Sequence, residues 1–142
     1  MNLPRGIRNN NPGNIRKTDI EWEGKVKDGD SVFEVFSRPW WGIRALVKLL
    51  LNYQSKHDLM TPAEIISRWA PGHENPTDIY VQHIAQRLGV TAHQAIFVEK
   101  YDTAYKLAAA IIEFENGRNP YTWEIQTGII LAGIEPAQPE YK

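Results

Sequence analysis

Thr103-Ala104-Tyr105-Lys106-Leu107-Ala108-Ala109-Ala110-Ile111-Ile112-Glu113-Phe114-Glu115-Asn116-Gly117 is the stretch on which the fold turns. Alanine and leucine favour helix, and no glycine or proline interrupts the run before Gly117. Asp102 can cap a helix from Thr103 to about Glu115, closed by Asn116-Gly117. Ala104, Ala108 and Ile111 then fall on one line, and at about 100° per residue Glu115 lies within roughly 20–40° of each. This is a core helix that ends its apolar stripe in a carboxylate.

Towards the C-terminus, Asn119-Pro120 caps a last helix that runs to Ala132 and stops at Gly133. Residues 134–142 are polar and proline-bearing and read as a loose tail. Towards the N-terminus, Thr91-Ala92-His93-Gln94 is a capping box that predicts one more short helix. Asn75-Pro76 predicts a helix carrying Ile79, Tyr80, Ile84 and Leu88 ahead of Gly89. Thr61-Pro62-Ala63-Glu64 is a capping box with proline at the first helical position, opening a helix with Ile65, Ile66 and Trp69 that ends before Pro71. Ile43, Leu46, Val47, Leu50 and Leu51, at three- and four-residue spacing, predict a core helix from Trp41 to about Lys56.

Residues 19–36 read as a hairpin, with Ile20, Trp22 and Val26 alternating on one strand, Phe33 and Val35 on the other, and Asp28-Gly29-Asp30 between. In residues 1–18, Gly6, Asn9-Asn10-Asn11, Pro12, Gly13 and Asn14 crowd so many turn formers together that no regular element is expected. The expectation is a mainly α (α+β) single domain over 1–142, of about six helices with a small N-terminal β-hairpin.

Bulk properties bound the function. The chain has 142 residues, 42% hydrophobic and 23% charged, enough for one hydrophobic core. A net charge of −1 and the lack of a basic helix face argue against a nucleic-acid partner, although Arg5, Arg8, Arg16 and Lys17 precede the first acid. The absence of cysteine removes disulfide and thiolate chemistry. His57, His73, His83 and His93 have no metal-ligand spacing, so neither metal nor cofactor is expected. No apolar run is long enough for membrane insertion, and Met1 to Arg8 do not form a secretory signal.

Glu115 is the residue that points to chemistry. A carboxylate at the edge of an apolar core loses hydration, and a helix C-terminus adds partial negative charge beside it. Both effects favour the protonated acid near neutral pH, which glycosidic bond cleavage needs in order to protonate the leaving oxygen. Glu113 lines up instead with Asp102 and Lys106 on the wet side. A glutamate that merely reaches solvent at a helix end fits the same periodicity.

Several ordered strings resemble a known family. Arg5-Gly6-Ile7-Arg8-Asn9-Asn10-Asn11-Pro12-Gly13-Asn14-Ile15-Arg16, Trp22-Glu23-Gly24, Phe33 to Phe36, Pro39-Trp40-Trp41-Gly42-Ile43, Trp69-Ala70-Pro71, Glu74-Asn75-Pro76-Thr77 with Tyr80, and Glu115-Asn116-Gly117 are similar to small phage proteins known as virion structural proteins or endolysins of the lysozyme-like superfamily. The likeness spans roughly residues 5–133. In phage-type lysozymes the glutamate helix precedes the hairpin, whereas here the hairpin comes first, an order that implies a circular permutation of the lysozyme-like arrangement.

The resemblance implies a glycosidase acting on the glycan strand of bacterial peptidoglycan, with Glu115 as general acid. It also implies synthesis in the host cytoplasm without a signal peptide, and action in the periplasm or from the phage virion. The expected partners are the glycan strand and phage virion proteins, and the protein is expected to be a monomer. Glu124, nine positions after Glu115, is the candidate second catalytic group, though an acid in a first helical turn is also favoured by the helix dipole. Glu21 and Glu23 on the hairpin are alternatives. A muramidase needs such a second carboxylate, while a lytic transglycosylase uses a hydroxyl of the substrate, and the sequence leaves both open.

Candidate substrate-binding residues are Arg8, Asn10, Asn11 and Asn14, with Trp22, Glu74, Asn75 and Tyr121. Amide side chains can donate to and accept from N-acetyl and hydroxyl groups, and aromatic faces can stack on sugars. The asparagines fit turn closure equally well, and Glu74-Asn75 fits a helix entrance. The rival reading of the whole chain is a non-catalytic virion structural or peptidoglycan-binding protein, since fold does not fix function. A secreted bacterial effector with the same chemistry is a third.

Overall fold

Five residues of the decisive stretch, Ala104, Leu107, Ala108, Ile111 and Ile112, are fully buried. In the computed structural model, which describes residues 2–71 and 77–136 (Thr77 by its backbone alone), they lie on the central helix of the domain. In chain order the elements are α1 Arg5–Arg8, β1 Lys25–Val26, β2 Val35–Phe36, α2 Pro39–His57, α3 Pro62–Trp69, α4 Thr77–Leu88, α5 Tyr101–Asn116 and α6 Trp123–Leu131. The mainly α architecture with one small antiparallel hairpin is as expected.

Helix α5 packs against α4 on one side, α6 and α2 on the other, and touches α1 at its end. Burying Leu107, Ile111 and Ile112 completely contributes about 1.5–3 kcal/mol each. Gly117, left-handed at φ 74°, ends the helix where the sequence placed its stop. Lys100, not Asp102, holds the N-cap position; Asp102 sits in the first turn and pairs with Lys106 at 3.1 Å.

Helix α2 buries Ile43, Leu46, Val47 and Leu50 and lies along α6, which faces it with Ile125 and Ile129. Its start touches the asparagine tract so closely that a Cβ on Gly42 would collide with the Asn10 carbonyl oxygen. Helix α3 carries the complete capping box of Thr61 and Glu64. Helix α4 buries Tyr80 and Ile84 but leaves Ile79 exposed; its expected Asn75-Pro76 entrance lies outside the described residues.

The structure departs from the sequence reading in other places. Residues 1–18 contain one regular turn, α1. The hairpin is much shorter than the alternation suggested: Lys25 pairs with Phe36 and Val26 with Val35, while Ile20 and Val26 are exposed. Residues 18–25 are held by side chains instead, with Lys25 Nζ donating to the carbonyls of Thr18 and Ile20 and pairing with buried Glu34 at 3.2 Å.

The Thr91 box opens turns and no helix. Ile96 and Val98 are drawn into the core there, and their backbone groups are taken by Gln54 and by the Met60 carbonyl. Asn119 caps only a turn, accepting from Tyr121 N, and α6 begins at Trp123. Ile134, placed in the loose tail, is buried; residues 137–142 lie outside the described part. No helix among the described residues is long and apolar enough to cross a membrane.

Candidate active site

Two of the four asparagines in residues 9–14, Asn10 and Asn14, have left-handed backbones at φ 52° and 53°. Asparagine tolerates that region better than most non-glycine residues. The tract folds back on the hairpin through side-chain hydrogen bonds. Asn11 is fully buried: its Nδ2 donates to the carbonyls of Ile15 and Glu34, and its Oδ1 accepts from Ile15 N. Asn10 Nδ2 donates to the Phe36 carbonyl. Both amides are thus engaged with backbone, which is the turn-closing role.

Arg5 and Asn9 both donate to Asp30, and the Arg5 guanidinium lies over the Phe33 ring at 4.8 Å. The hydrogen bond from Arg5 holds the Asp30 carboxyl far below the usual carboxylate range, helped by the backbone N–H groups of Phe33 and Val32.

Between this N-terminal module and helices α2 and α3 lies a cleft of about 610 Å³. That is within the size range of small-molecule sites. The N-terminal wall presents Asn14, Arg16, Thr18 and Phe33, and the helical wall presents Leu49, Tyr53, Trp69 and Pro71. Glu115, from the last turn of α5, also faces the cleft, and it is the one acidic residue among the described lining. Asn14 Nδ2 donates to Glu115 Oε1 at 2.9 Å, and the Tyr80 hydroxyl donates to Glu115 Oε2 at 2.9 Å. Both of these donors are neutral, one from the N-terminal tract and one from α4.

Tyr80 is buried and stacks on Phe114 with ring centroids 3.9 Å apart. Burial, then the nearby Glu115 charge and the hydrogen bond to it, push its hydroxyl far above the usual tyrosine range. It stays a phenol and a donor.

The other expected site residues are dispersed. Glu124 is in the first turn of α6, where its Oε1 accepts from Thr122 N, and it does not line the cleft. Tyr121 is buried away from the cleft wall, its hydroxyl pushed up by burial and by Glu124. Trp22 is half-buried against the core, with its indole Nε1 buried and unpartnered. Arg8 is exposed at the end of α1, outside the lining. Glu74 and Asn75 lie outside the described residues.

Of the expected set, Asn14 and Glu115 are brought together. Tyr80, Trp69, Tyr53 and Phe33 were not among the candidate site residues. The signals for Tyr80 were its place in the resemblance and a tyrosine on an apolar helix face, whose hydroxyl must find some partner once buried. No group of His, Cys, Asp and Glu among the described residues is arranged to hold a metal ion.

No protein-family model matches the chain. A phage protein does: the chain is 41% identical over 129 residues to protein P5 of Pseudoalteromonas phage PM2, an alignment covering 87% of this chain and 79% of that protein.

Proposed function

Because this chain belongs to the family of phage PM2 protein P5, we propose that it is a phage protein, borne on the virion or made for lysis, that binds a peptidoglycan glycan strand in the cleft and cleaves it with Glu115 as proton donor. The observation that carries this reading is the one carboxyl group of the described lining, hydrogen-bonded at both oxygens and facing an aromatic-walled cleft of about 610 Å³. Phe33, Tyr53 and Trp69 offer apolar faces to sugar rings. Each Glu115 oxygen accepts a hydrogen bond from a neutral donor, Asn14 at Oε1 and Tyr80 at Oε2. As the bond from the anomeric carbon to the glycosidic oxygen breaks, that oxygen takes the proton from Glu115.

The described cleft wall offers no second carboxylate as nucleophile, which favours the lytic transglycosylase over the muramidase. A hydroxyl of the same sugar then bonds to the anomeric carbon, and its proton returns to the Glu115 carboxylate. No water is consumed.

A second reading, a virion structural or glycan-binding protein without the chemistry, is supported by the same two hydrogen bonds. An acid strapped at both oxygens also ties α5 to α4 and to the N-terminal tract.

The test is clearance of purified Gram-negative sacculi by the wild type and by Glu115→Gln, with circular dichroism first to show that the variant is folded. Clearance by the wild type alone supports the proton-donor role. Fragments lacking the mass of one water would identify the transglycosylase. Equal clearance by both proteins would make Glu115 structural. Sedimentation with sacculi and no clearance by either would favour the binding reading.

A further inference from the structure

Behind Glu115, buried oxygens crowd around one point of the N-terminal tract. A Cβ added to Gly6 would stand 2.6 Å from Asn116 Oδ1, 2.7 Å from Asn14 Oδ1 and 2.9 Å from the Asn11 carbonyl oxygen. Both amide oxygens are buried, and neither has a hydrogen-bond donor. Two unmet buried acceptors close to one point are costly. Asn116 is unable to relieve the shortage by turning, because its Nδ2 donates to the carbonyls of Pro12 at 2.8 Å and Ile112 at 2.9 Å.

Asn14 is the member that can turn. Its Nδ2 faces Glu115 Oε1, and its Oδ1 lies beside Gly6, as Asn116 Oδ1 does. A half-turn of the terminal amide exchanges the two atoms. While Glu115 is ionised, that exchange would set a carbonyl oxygen against a carboxylate oxygen with no proton between them. Once Glu115 carries a proton, its O–H can donate to Asn14 Oδ1, and Asn14 Nδ2 becomes a donor for Asn116 Oδ1. The turned state meets both orphaned acceptors.

We propose that Asn14 is a positioning residue whose amide turns with the proton on Glu115, donating to the carboxylate and accepting from the carboxylic acid. The proposal rests on the reading of Glu115 as the proton donor. Its consequence is that both charge states of the acid have a matched partner. The proton rests against Asn14 until the glycosidic oxygen takes it, and the returning Nδ2 then stabilises the carboxylate left behind. Tyr80 donates to the other oxygen throughout.

Among the described residues, the other titratable or charged groups facing this site are Arg16 of the N-terminal tract, Tyr53 of α2 and Tyr80 of α4; α3 brings Trp69. Burial pushes both tyrosines upward.

The experiment is a pH titration of the isotope-labelled full chain by NMR. It follows the Glu115 side-chain carboxyl carbon, the Asn14 side-chain amide protons and their cross-relaxation partners. The expected result is that the Asn14 amide protons leave Glu115 for Asn116 with the same midpoint at which Glu115 protonates. In Asn14→Gly, which suits the left-handed backbone, the Glu115 midpoint then moves by less than about half a unit, because donor and acceptor are lost together. Turnover falls about tenfold with KM little changed.

An amide that keeps its partners at every pH overturns the proposal. So does a Glu115 midpoint that rises by about one unit or more in Asn14→Gly, the signature of a fixed donor. A long-lived water found between the two amide oxygens, with the amide unmoved, overturns it as well. If the variant does not fold, the wild-type titration still decides. The titration reads no activity, so a loss of the glycosidase reading through an active Glu115→Gln would be seen separately.

Discussion

Glu113 and Glu115 stand two positions apart on α5, and their described hydrogen-bond donors differ in kind. Arg87 Nε lies 2.7 Å from Glu113 Oε1 and His83 Nε2 lies 3.1 Å from it, on a surface where the Glu113 side chain is 35% exposed. The hydrogen bond from Arg87 holds that carboxyl below the usual range, burial opposes it, and the charges of Arg87 and His83 reinforce it. Glu115 meets an amide and a phenol at the edge of a cleft. A carboxylate paired with a cation at the surface serves as a strap between helices. One that lines a cleft can meet whatever enters it.

The largest expected effect tests that distinction directly. Glu115→Gln should lower the rate of glycan cleavage by about 10²–10⁴-fold, the usual weight of a general acid, with little change in thermal stability. Glu113→Gln should leave the rate unaltered. Comparable losses from both would mean that the end of α5 matters as a whole and the contrast has no chemical meaning. Tyr80→Phe comes next. It keeps the ring stacked on Phe114 and removes only the donor to Glu115 Oε2. A rate loss of about tenfold is expected, with about 0.5–1.5 kcal/mol lost in chemical denaturation, the usual weight of one hydrogen bond. An unchanged rate would show that the Tyr80 bond does not position the acid.

These two sides of α5 also differ in how far the sequence announced them. The helical part was legible because burial recurs every three or four residues: Ile43, Leu46, Val47 and Leu50 in α2, and Ala104, Ala108 and Ile111 in α5, are all in the core. The same periodicity aimed Glu115 inward. The partners came from places periodicity does not connect, since Asn14 is 101 residues and Tyr80 35 residues from it in sequence. The N-terminal wall was opaque for a related reason. Its shape comes from asparagine side chains bonding to backbone, and the types that do this are also the types that bind sugars. The Thr91 box misled because the core claimed Ile96 and Val98, a tertiary demand that overrides a local cap.

Asn11 measures how much that side-chain scaffolding contributes. Its amide makes three buried hydrogen bonds to backbone. Asn11→Ala should cost about 2–4 kcal/mol in urea denaturation, because the buried backbone groups lose their partner. A loss under about 0.5 kcal/mol, the scale of an ordinary surface change, would mean that the N-terminal wall is held by the Arg5–Asp30 contact and not by the asparagines.

The smallest effect is the pH dependence of the Glu113 strap. Its carboxyl is held low in the folded protein, so the stability it contributes is complete above the unfolded value of about 4.3 and is lost as the pH falls below that value through the folded one. The pair is at the surface, so the contribution is about 0.2–1 kcal/mol. The unfolding free energies of the wild type and Glu113→Gln should therefore differ slightly at neutral pH and converge in strong acid. A gap that persists in acid would show that Glu113 acts through packing and not through charge. The contrast with Glu115 would then have to rest on the cleft alone.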